Sequence, residues 1–406
     1  MSDPWSETSI VYMFQFRTTV SALLFIGLSS ATVAPAAQSG HLYDQVVSAL
    51  ERWYYDKEFR AQELPKLAAE FRDRAHGSED AKAERGVIKE LLARIPSSHL
   101  ALISLETYRR IGAELSSKAV PTIGLQLIKL DGHYHATWVY EGGPAELAGV
   151  KRGDEVLSLD GLPPGASPLL DWSTDDAALP DAEIHDVLVD EGGQVELKLL
   201  RAVDEELSVT IEVQPYCGAQ AAEASVRIIE RDGLRLGYVH FWYIPFDTPS
   251  ALLERVLTED FADCDGLVLD LRGRGGSGAE VMRLKTLLDP ENGKWRRPLV
   301  ALIDGATRSA KEVIALEIKQ RKVGLVVGER TAGAVIPASF RKLSGGAVLM
   351  FPWMTIGKYT DQIEGKGVAP DVDVADHLAY TAGADPILVA GIERLVETCA
   401  IVAAAR

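Results

Sequence analysis

Apolar side chains recur at helical spacing in the part of the chain that follows residue 40. Charged residues occupy the opposite faces of the same segments, which is the pattern of amphipathic helices packed on a core. The apolar positions that share a face include Leu42, Val46, Leu50, Leu64, Leu67, Phe71, Val87 and Leu91. The pattern predicts about three helices, ending near Pro96, in an N-terminal helical domain over residues 41–116.

The pattern changes to the alternation of β-strands at residue 119 and keeps it to residue 139. Segments 194–201 and 206–213 also predict strands, whereas the acidic stretch 165–192 is expected to hold a helix near 181–190. Residues 117–215 are therefore expected to form a separate domain rich in β-structure.

Short apolar segments alternate with helical ones between residues 225 and 378. The predicted strands are 234–241, 266–271, 299–303 and 323–327, and the predicted helices are 249–260, 279–288 and 309–320. Glycine-rich turns follow the strands, as is usual in α/β folds. The fold class is therefore α/β, with residues 379–406 adding a C-terminal helix.

The first residues have the layout of an export signal. An apolar run over residues 18–33 follows Arg17 and precedes Ala34-Pro35-Ala36, a small-x-small cleavage site. A membrane anchor needs about 20 apolar residues, and this run is shorter and broken by Ser and Thr. We expect residues 1–36 to be removed, whether translation starts at Met1 or Met13. The product is expected to be periplasmic or secreted, without stable membrane insertion.

Composition narrows the classes of partner. Apolar residues make up 47% and charged residues 25% of the chain, which excludes a disordered or fibrous protein. Lys and Arg number 42 against 59 Asp and Glu, a net charge of −17, and no long basic stripe offsets it, so nucleic acid is excluded as a partner. Cys217, Cys264 and Cys399 lie too far apart for a thiolate zinc site or a disulfide framework.

Two segments contain candidate catalytic groups. Ser309 is expected to open a helix just after an apolar strand and a glycine turn, where the helix dipole stabilises an alkoxide. A helix-capping serine fits the same position. Residues 270–278 contain four glycines, whose amides can form an oxyanion hole or a phosphate nest. This loop lacks the spacing of a dinucleotide fingerprint, and an ordinary loop is the alternative.

Residues 142–161, GGPAELAGVKRGDEVLSLDG, and the GLQL at 124–127 resemble a PDZ domain of the circularly permuted bacterial protease type. This resemblance implies that Gly124, Leu125, Gln126 and Leu127 form a carboxylate-binding loop before an open strand edge. Such an edge binds the C-terminus of a peptide as an added strand.

The segments DLRGRGG, TRSAKE, VVGERTAG and EGKGVAPD, in this order, resemble the tail-specific, or C-terminal processing, serine peptidases. Those proteins join a PDZ domain to a core of the Clp-protease/crotonase type, built from ββα units. The resemblance implies that Ser309 is the nucleophile. It also implies an oxyanion hole formed by the backbone N–H of Ala310 and of the pair Gly275 and Gly276.

At the position of the general base, this sequence departs from the larger branch of that family. The larger branch uses a lysine in the segment that reads GERTAGAV here. Ala332 and Ala334 offer no amine, and Lys311 follows Ser309 by two residues on a helix, so it points elsewhere. A smaller branch, similar to the tricorn protease core, uses a His preceded by a Ser and completed by a Glu. The resemblance assigns these roles to His99, Ser98 and Glu364, and the apparent pKa of the base is expected within about one or two units of the ~6.5 of free His.

Other histidines are weaker candidates. His240 and His377 are rivals for the base, and His133 and His135 alternate onto one strand face, which is expected to be solvated. No third ligand has a suitable spacing, so neither a metal nor another cofactor is predicted. The interpretation is an exported serine endopeptidase acting on peptides or proteins, of undetermined oligomeric state. A non-catalytic peptide-binding scaffold, or a core that binds a small apolar ligand, is the alternative on the same fold.

Overall fold

The computed structural model describes residues 40–172, 183–202, 204–246 and 248–405. The export signal predicted over residues 1–36, including Met13, lies outside the described residues. None of the helices in the described ranges has both the length and the apolar character needed to cross a bilayer.

In the part of the chain that the structure describes, four helices precede the first strand, where the sequence predicts about three. They are α1 Leu42–Trp53, α2 Lys57–Gln62, α3 Leu64–His76 and α4 Ala81–Ala93. Aspartates set two of the starting points: Asp56 accepts the N–H of Phe59 at α2, and Asp80 accepts the N–H of Ala83 at α4. The sequence pattern does not separate α2 from α3, because only Glu63 lies between them.

A short strand that the sequence pattern does not predict follows these helices. It is β1 Ala101–Ser104, and it leads into α5 Leu105–Leu115. β1 pairs antiparallel with residues 347–350, and the helices α1 to α4 pack their apolar faces against Leu349 and Phe351 of the distant segment 347–352. The N-terminal helices therefore share one core with a strand from the far part of the chain.

The next part of the chain is mainly β-structure. Its elements are β2 Val120–Thr122, β3 Leu125–Leu130, β4 His133–Val139, α6 Pro144–Leu147, β5 Glu155–Leu159, β6 Leu170–Trp172, β7 Glu183–Val187, β8 Gln194–Leu200, β9 Glu206–Glu212 and β10 Gln214–Tyr216. Seven strands form an antiparallel sheet in the order β6-β7-β3-β4-β5-β8-β9, and β10 pairs with β2.

The helix predicted near 181–190 is wrong. Residues 183–187 form β7, which pairs antiparallel with β3 and places Asp186 opposite Gln126. The acidic composition of the stretch suggested a solvated helix, but β3 supplies a row of backbone hydrogen-bond partners that a strand can use. The second edge of β3, expected to be open, is therefore occupied.

The last part of the chain is the predicted α/β core. Its elements are α7 Gly218–Ser225, β11 Arg227–Arg231, β12 Leu234–His240, α8 Pro249–Arg255, β13 Gly266–Asp270, α9 Val281–Leu287, β14 Leu299–Ile303, α10 Ala310–Gln320, β15 Leu325–Gly328, β16 Ala338–Lys342, β17 Ala347–Pro352, α11 Lys358–Ile363, β18 Val372–Asp373 and α12 Pro386–Ala404. The α/β fold class is confirmed.

A six-stranded sheet in the order β11-β12-β13-β14-β15-β18 forms the centre of this core. All its strands except β11 run parallel. Helices α8, α9 and α10 cover one face, and α12 covers the other. The carboxyl ends of parallel strands share one edge, where ligands bind in open α/β sheets, so the loops after β13 and β14 meet there.

Candidate active site

Ser309 lies between β14 and α10, at a sharp strand–turn–helix junction. The carboxylate of Asp304 holds the turn by accepting the N–H groups of Ala306 at 3.1 Å and Thr307 at 2.7 Å. Ser309 has φ 57° and ψ −123°, a left-handed conformation that costs a non-glycine residue about 1–3 kcal/mol. Strain of this kind is what the nucleophile elbows of hydrolases store.

Glu312 holds Ser309 in this conformation and was missed by the sequence analysis. Its buried carboxylate accepts the N–H of Ser309 at 3.0 Å, of Ala334 at 2.9 Å and of Gly333 at 2.7 Å. Ser309 N–H also donates to the carbonyl of Ala334 at 2.8 Å. The Ser-x-x-Glu spacing, a capping-box signature, was the signal that could have identified this residue.

The glycine loop after β13 lies directly against Ser309. A Cβ on Gly275 would fall 2.7 Å from Ser309 Cβ, and one on Gly276 would fall 2.2 Å from the carbonyl oxygen of Ile244. Within the described part of the chain, the N–H groups of Gly275, Gly276 and Ala310 donate no hydrogen bond. Three unused amides beside a strained serine have the chemistry of an oxyanion hole.

Ser98, His99 and Glu364 form one hydrogen-bonded chain. Ser98 Oγ lies 3.0 Å from Glu364 Oε2 and 3.1 Å from His99 Nδ1. A carboxylate can only accept, so the hydroxyl donates its single hydrogen to Glu364 and accepts from His99 Nδ1–H. This assigns the proton to Nδ1 and leaves the lone pair on Nε2, as a general base requires.

The segment 333–336 connects this chain to Ser309. The N–H groups of Val335 and Ile336 donate to Glu364 Oε2 at 3.0 Å and 3.2 Å, and the preceding carbonyl, of Ala334, accepts from Ser309. The sequence-predicted residues Ser98, His99, Glu364 and Ser309 are therefore brought to the same edge of the core.

His99 differs electrostatically from the sequence-based expectation. Burial, together with the positive charge of Arg308, lowers the pKa of His99 to about 3. This value is well below the range near 6.5 that was predicted, because a sequence does not show that Arg308 is buried beside the imidazole. The imidazole is therefore neutral, and able to act as a base, throughout the physiological range.

Lys311 is a buried structural residue in this arrangement. Its Nζ donates to the carbonyl oxygens of Trp242 at 3.0 Å and Arg272 at 2.8 Å, and burial lowers its pKa to about 7. These bonds tie α10 to the start of the glycine loop. Lys366 instead donates to the carbonyl of Asp361 on the surface.

The remaining histidines do not form a metal site in the described ranges, where no group of three ligating side chains occurs. His240 is buried in β12 near Glu141, and His377 is exposed. His135 is buried, so the expectation of a solvated strand face holds for His133 and is wrong for His135.

The predicted carboxylate-binding residues begin at Gly124, which has φ 69°, and continue into β3 with Leu125, Gln126 and Leu127. Gly124, Leu125 and Gln126 line a cavity that Arg274 of the glycine loop also lines. The sequence predicts an open strand edge here. This prediction is wrong, because β7 pairs along β3.

Comparison with known proteins adds independent information. Residues 284–374 match the model of peptidase family S41. The chloroplastic C-terminal processing peptidase of Tetradesmus obliquus is 27% identical over 370 residues, which cover 82% of this chain and 76% of that protein. A photosystem II D1 C-terminal processing protease shares the fold with a TM-score of 0.51 at 21% identity, over 85% of this chain and 97% of the other. The tricorn protease does so with a TM-score of 0.51 at 18% identity, over 88% and 36%.

The strained serine beside unused amides, on this α/β core, defines a serine hydrolase. The match of residues 284–374 to peptidase family S41, together with the similarity to C-terminal processing peptidases, indicates the same class, a serine-type peptidase. The non-catalytic scaffold and the apolar-ligand carrier are therefore set aside.

Proposed function

We propose that this peptidase cleaves peptide or protein substrates through an acyl-enzyme on Ser309, with His99 as general base. The observation that carries the proposal is the hydrogen-bonded chain from Glu364 through Ser98 to His99 Nδ1. It leaves Nε2 as the only nitrogen of His99 that can accept a proton.

The chemical steps follow from the roles of these groups. His99 Nε2 takes the hydroxyl proton of Ser309 as Oγ attacks the scissile carbonyl, and the N–H groups of Ala310 and the Gly275–Gly276 pair bind the oxyanion. Glu364 stabilises the imidazolium through Ser98. His99 then protonates the leaving amine, and a water molecule, deprotonated by the same imidazole, hydrolyses the acyl-enzyme.

Substrates are proposed to be recognised by their C-termini at Gly124, Leu125, Gln126 and Leu127. The support is the PDZ-like sequence and the placement of these residues at the start of β3, beside the buried Arg274. The name of the Tetradesmus relative, a C-terminal processing peptidase, agrees with this kind of substrate.

The peptidase is also proposed to act after export, in a periplasmic or secreted location. The support is the signal-like composition of residues 1–36.

Substitution of the nucleophile and the base tests the mechanism. Ser309→Ala and His99→Ala should each lower kcat/KM by several orders of magnitude, and the double variant should be little worse, since nucleophile and base act as one unit. Glu364→Gln should cost less, because Glu364 orients the imidazole without reacting. Initial rates on a quenched-fluorescent peptide measure these effects.

His377→Ala provides the matched control, since this histidine is exposed and should leave the rate unchanged. A folded His99→Ala variant that kept most of the activity would refute the His base. If Lys366→Ala or Lys311→Met abolished turnover in the same assay, without loss of folded protein, a lysine base would replace it.

A further inference from the structure

β7 lies along β3 in the position of an added strand. The two strands run antiparallel, with Asp186 opposite Gln126 and Glu183 opposite Lys129. The carboxyl end of β7 therefore approaches the loop at Gly124. A peptide whose C-terminus entered such a loop by strand addition would run in the same direction.

The carboxylate of Asp186 lies where that orientation would bring a chain terminus. Its Oδ2 is 3.9 Å from Nη1 of Arg274, and its other oxygen accepts from the side-chain N–H of Gln126. A separation of 3.9 Å is longer than a direct hydrogen bond, so a carboxylate that came closer would bind the guanidinium more strongly.

Arg274 is held as a fixed cation in this cavity. It is 5% exposed, its guanidinium carbon lies 5.4 Å from the ring centre of Trp138, and it hydrogen-bonds Tyr243. Guanidinium groups favour carboxylates because their planar donors match two carboxylate oxygens. Arg274 is therefore suited to bind the charged end of a peptide.

Gln126 provides a second, independent indication of a ligand. It is 8% exposed and lines the same cavity, and its side-chain oxygen receives no hydrogen bond from the described part of the chain. Buried polar atoms normally have partners. A peptide end would bring the backbone N–H that Gln126 Oε1 lacks, and a carboxylate that could approach Arg274 more closely than Asp186 does.

We propose that Arg274 binds the C-terminal carboxylate of the substrate. In the absence of substrate, β7 occupies this groove as an internal ligand, and the carboxylate of Asp186 takes the place of the substrate carboxylate. The substrate then displaces β7 from the groove. The inference rests on the proposed recognition of substrate C-termini. It adds a specificity-determining residue from the α/β core, since Arg274 directly precedes Gly275, where an added Cβ would lie 2.7 Å from Ser309 Cβ.

A pair of peptides tests the carboxylate assignment. The peptides share one sequence and end in a free acid or in an amide, and kcat/KM is measured for each. Wild-type enzyme should prefer the acid, and Arg274→Met should reduce the acid-to-amide ratio about tenfold or more, the loss expected for a charge-assisted hydrogen bond. Arg274→Lys, which keeps the charge, should restore part of the ratio.

Asp186→Asn should have the opposite effect. Removing the competing charge should raise the acid-to-amide ratio about threefold or more, because the resident carboxylate no longer opposes the incoming one. Arg110→Met and Asp190→Asn are the matched controls. Arg110 lines the same cavity but pairs with Glu106 at 3.4 Å, and Asp190 is an exposed acid just beyond β7, so both should leave the ratio unchanged.

Hydrogen exchange tests the exchange of strands directly. Saturating acid peptide, bound to the Ser309→Ala variant to prevent turnover, should raise the exchange of amides 183–187, whereas the amide peptide should not. Unchanged or slower exchange in this strand would overturn the internal-ligand role of β7.

The outcomes separate the two levels of the proposal. If wild type hydrolysed acid and amide peptides equally, recognition of C-termini itself would fail. A wild-type preference that survived Arg274→Met in full would overturn only the present inference, and a loss in Arg110→Met instead would move the carboxylate site to Arg110.

Discussion

In the proposed mechanism, Ser98 decides which nitrogen of His99 acts as the base. Its hydroxyl has one hydrogen, which the carboxylate of Glu364 accepts at 3.0 Å, so the hydroxyl must accept from His99 Nδ1. Two donors from the backbone, Val335 and Ile336, fix the same carboxylate oxygen. The serine thus transmits the orientation of Glu364 to the imidazole, as the aspartate of a Ser-His-Asp triad does directly.

Arg308 should determine the acidic limit of activity. Because burial and the charge of Arg308 lower the pKa of His99 to about 3, the base stays neutral as the pH falls, and kcat/KM should persist well below pH 6.5. Arg308→Met removes the charge, which raises the pKa of His99, so the acidic limb should move to higher pH. Arg308→Lys keeps the charge and should leave the limb near its original position.

The pH dependence of kcat/KM for the three enzymes measures this shift, with far-UV circular dichroism confirming that each remains folded at each pH. A wild-type limb near 6.5 that does not respond to Arg308→Met would contradict the assigned environment of His99.

The identities of the catalytic candidates could be read from the sequence, but their electrostatics could not. Ser309 and Glu364 lie in segments whose order along the chain and whose residue sequences resemble those of one peptidase family. The pKa of His99 depends on a cation that the fold brings beside it. The role of Glu312 could not be predicted, because a glutamate at this spacing normally only caps its own helix. In the structure its carboxylate accepts hydrogen bonds both from Ser309 and from the backbone of residues 333 and 334.

The loop after β13 leaves little room for side chains. Gly275→Ala should lower kcat by about a hundredfold or more, the cost of losing one oxyanion donor, because the added Cβ would lie 2.7 Å from Ser309 Cβ. Gly86→Ala in α4 is the matched control, since a Cβ there meets nothing within 4 Å. Thermal unfolding measured beside the rates distinguishes lost geometry from lost structure, and equal kcat in both variants would remove Gly275 from the site.

Elements set by local sequence were predicted well, and elements set by distant partners were not. The strands β13 and β14 and the helix α10 follow from apolar patterns and glycine turns in their own segments. β1 is stabilised by its pairing with residues 347–350, and β7 is stabilised by its pairing with β3. Neither pairing leaves a periodic signal within so short a segment.

The active site is assembled from parts that lie far apart along the chain. His99 follows the N-terminal helices, Ser309 lies between β14 of the central sheet and α10, and Arg274 reaches from that core into the cavity beside β3. The pairing of β1 with β17 fixes the segment that carries His99. If His99 is the base, as proposed, the N-terminal helices help to position a catalytic group.

The location of the whole molecule can be tested by its mature N-terminus. If residues 1–36 are an export signal, the protein recovered from the periplasm or medium of an expressing bacterium should begin at Ala37. Intact-mass and N-terminal peptide spectrometry measure this, with a variant carrying Ala36→Lys expected to remain unprocessed. Retention of Met1 or Met13 on exported protein would refute cleavage at this site.

Covalent labelling with a fluorophosphonate tests the central claim most directly. The hydroxyl oxygen of the nucleophile attacks phosphorus and displaces fluoride, and peptide mass spectrometry then locates the adduct. We predict a single adduct on Ser309, formed orders of magnitude more slowly in the His99→Ala variant and at the normal rate in His377→Ala. An adduct on another residue, or labelling of Ser309 that is equally fast without His99, would contradict the proposed mechanism.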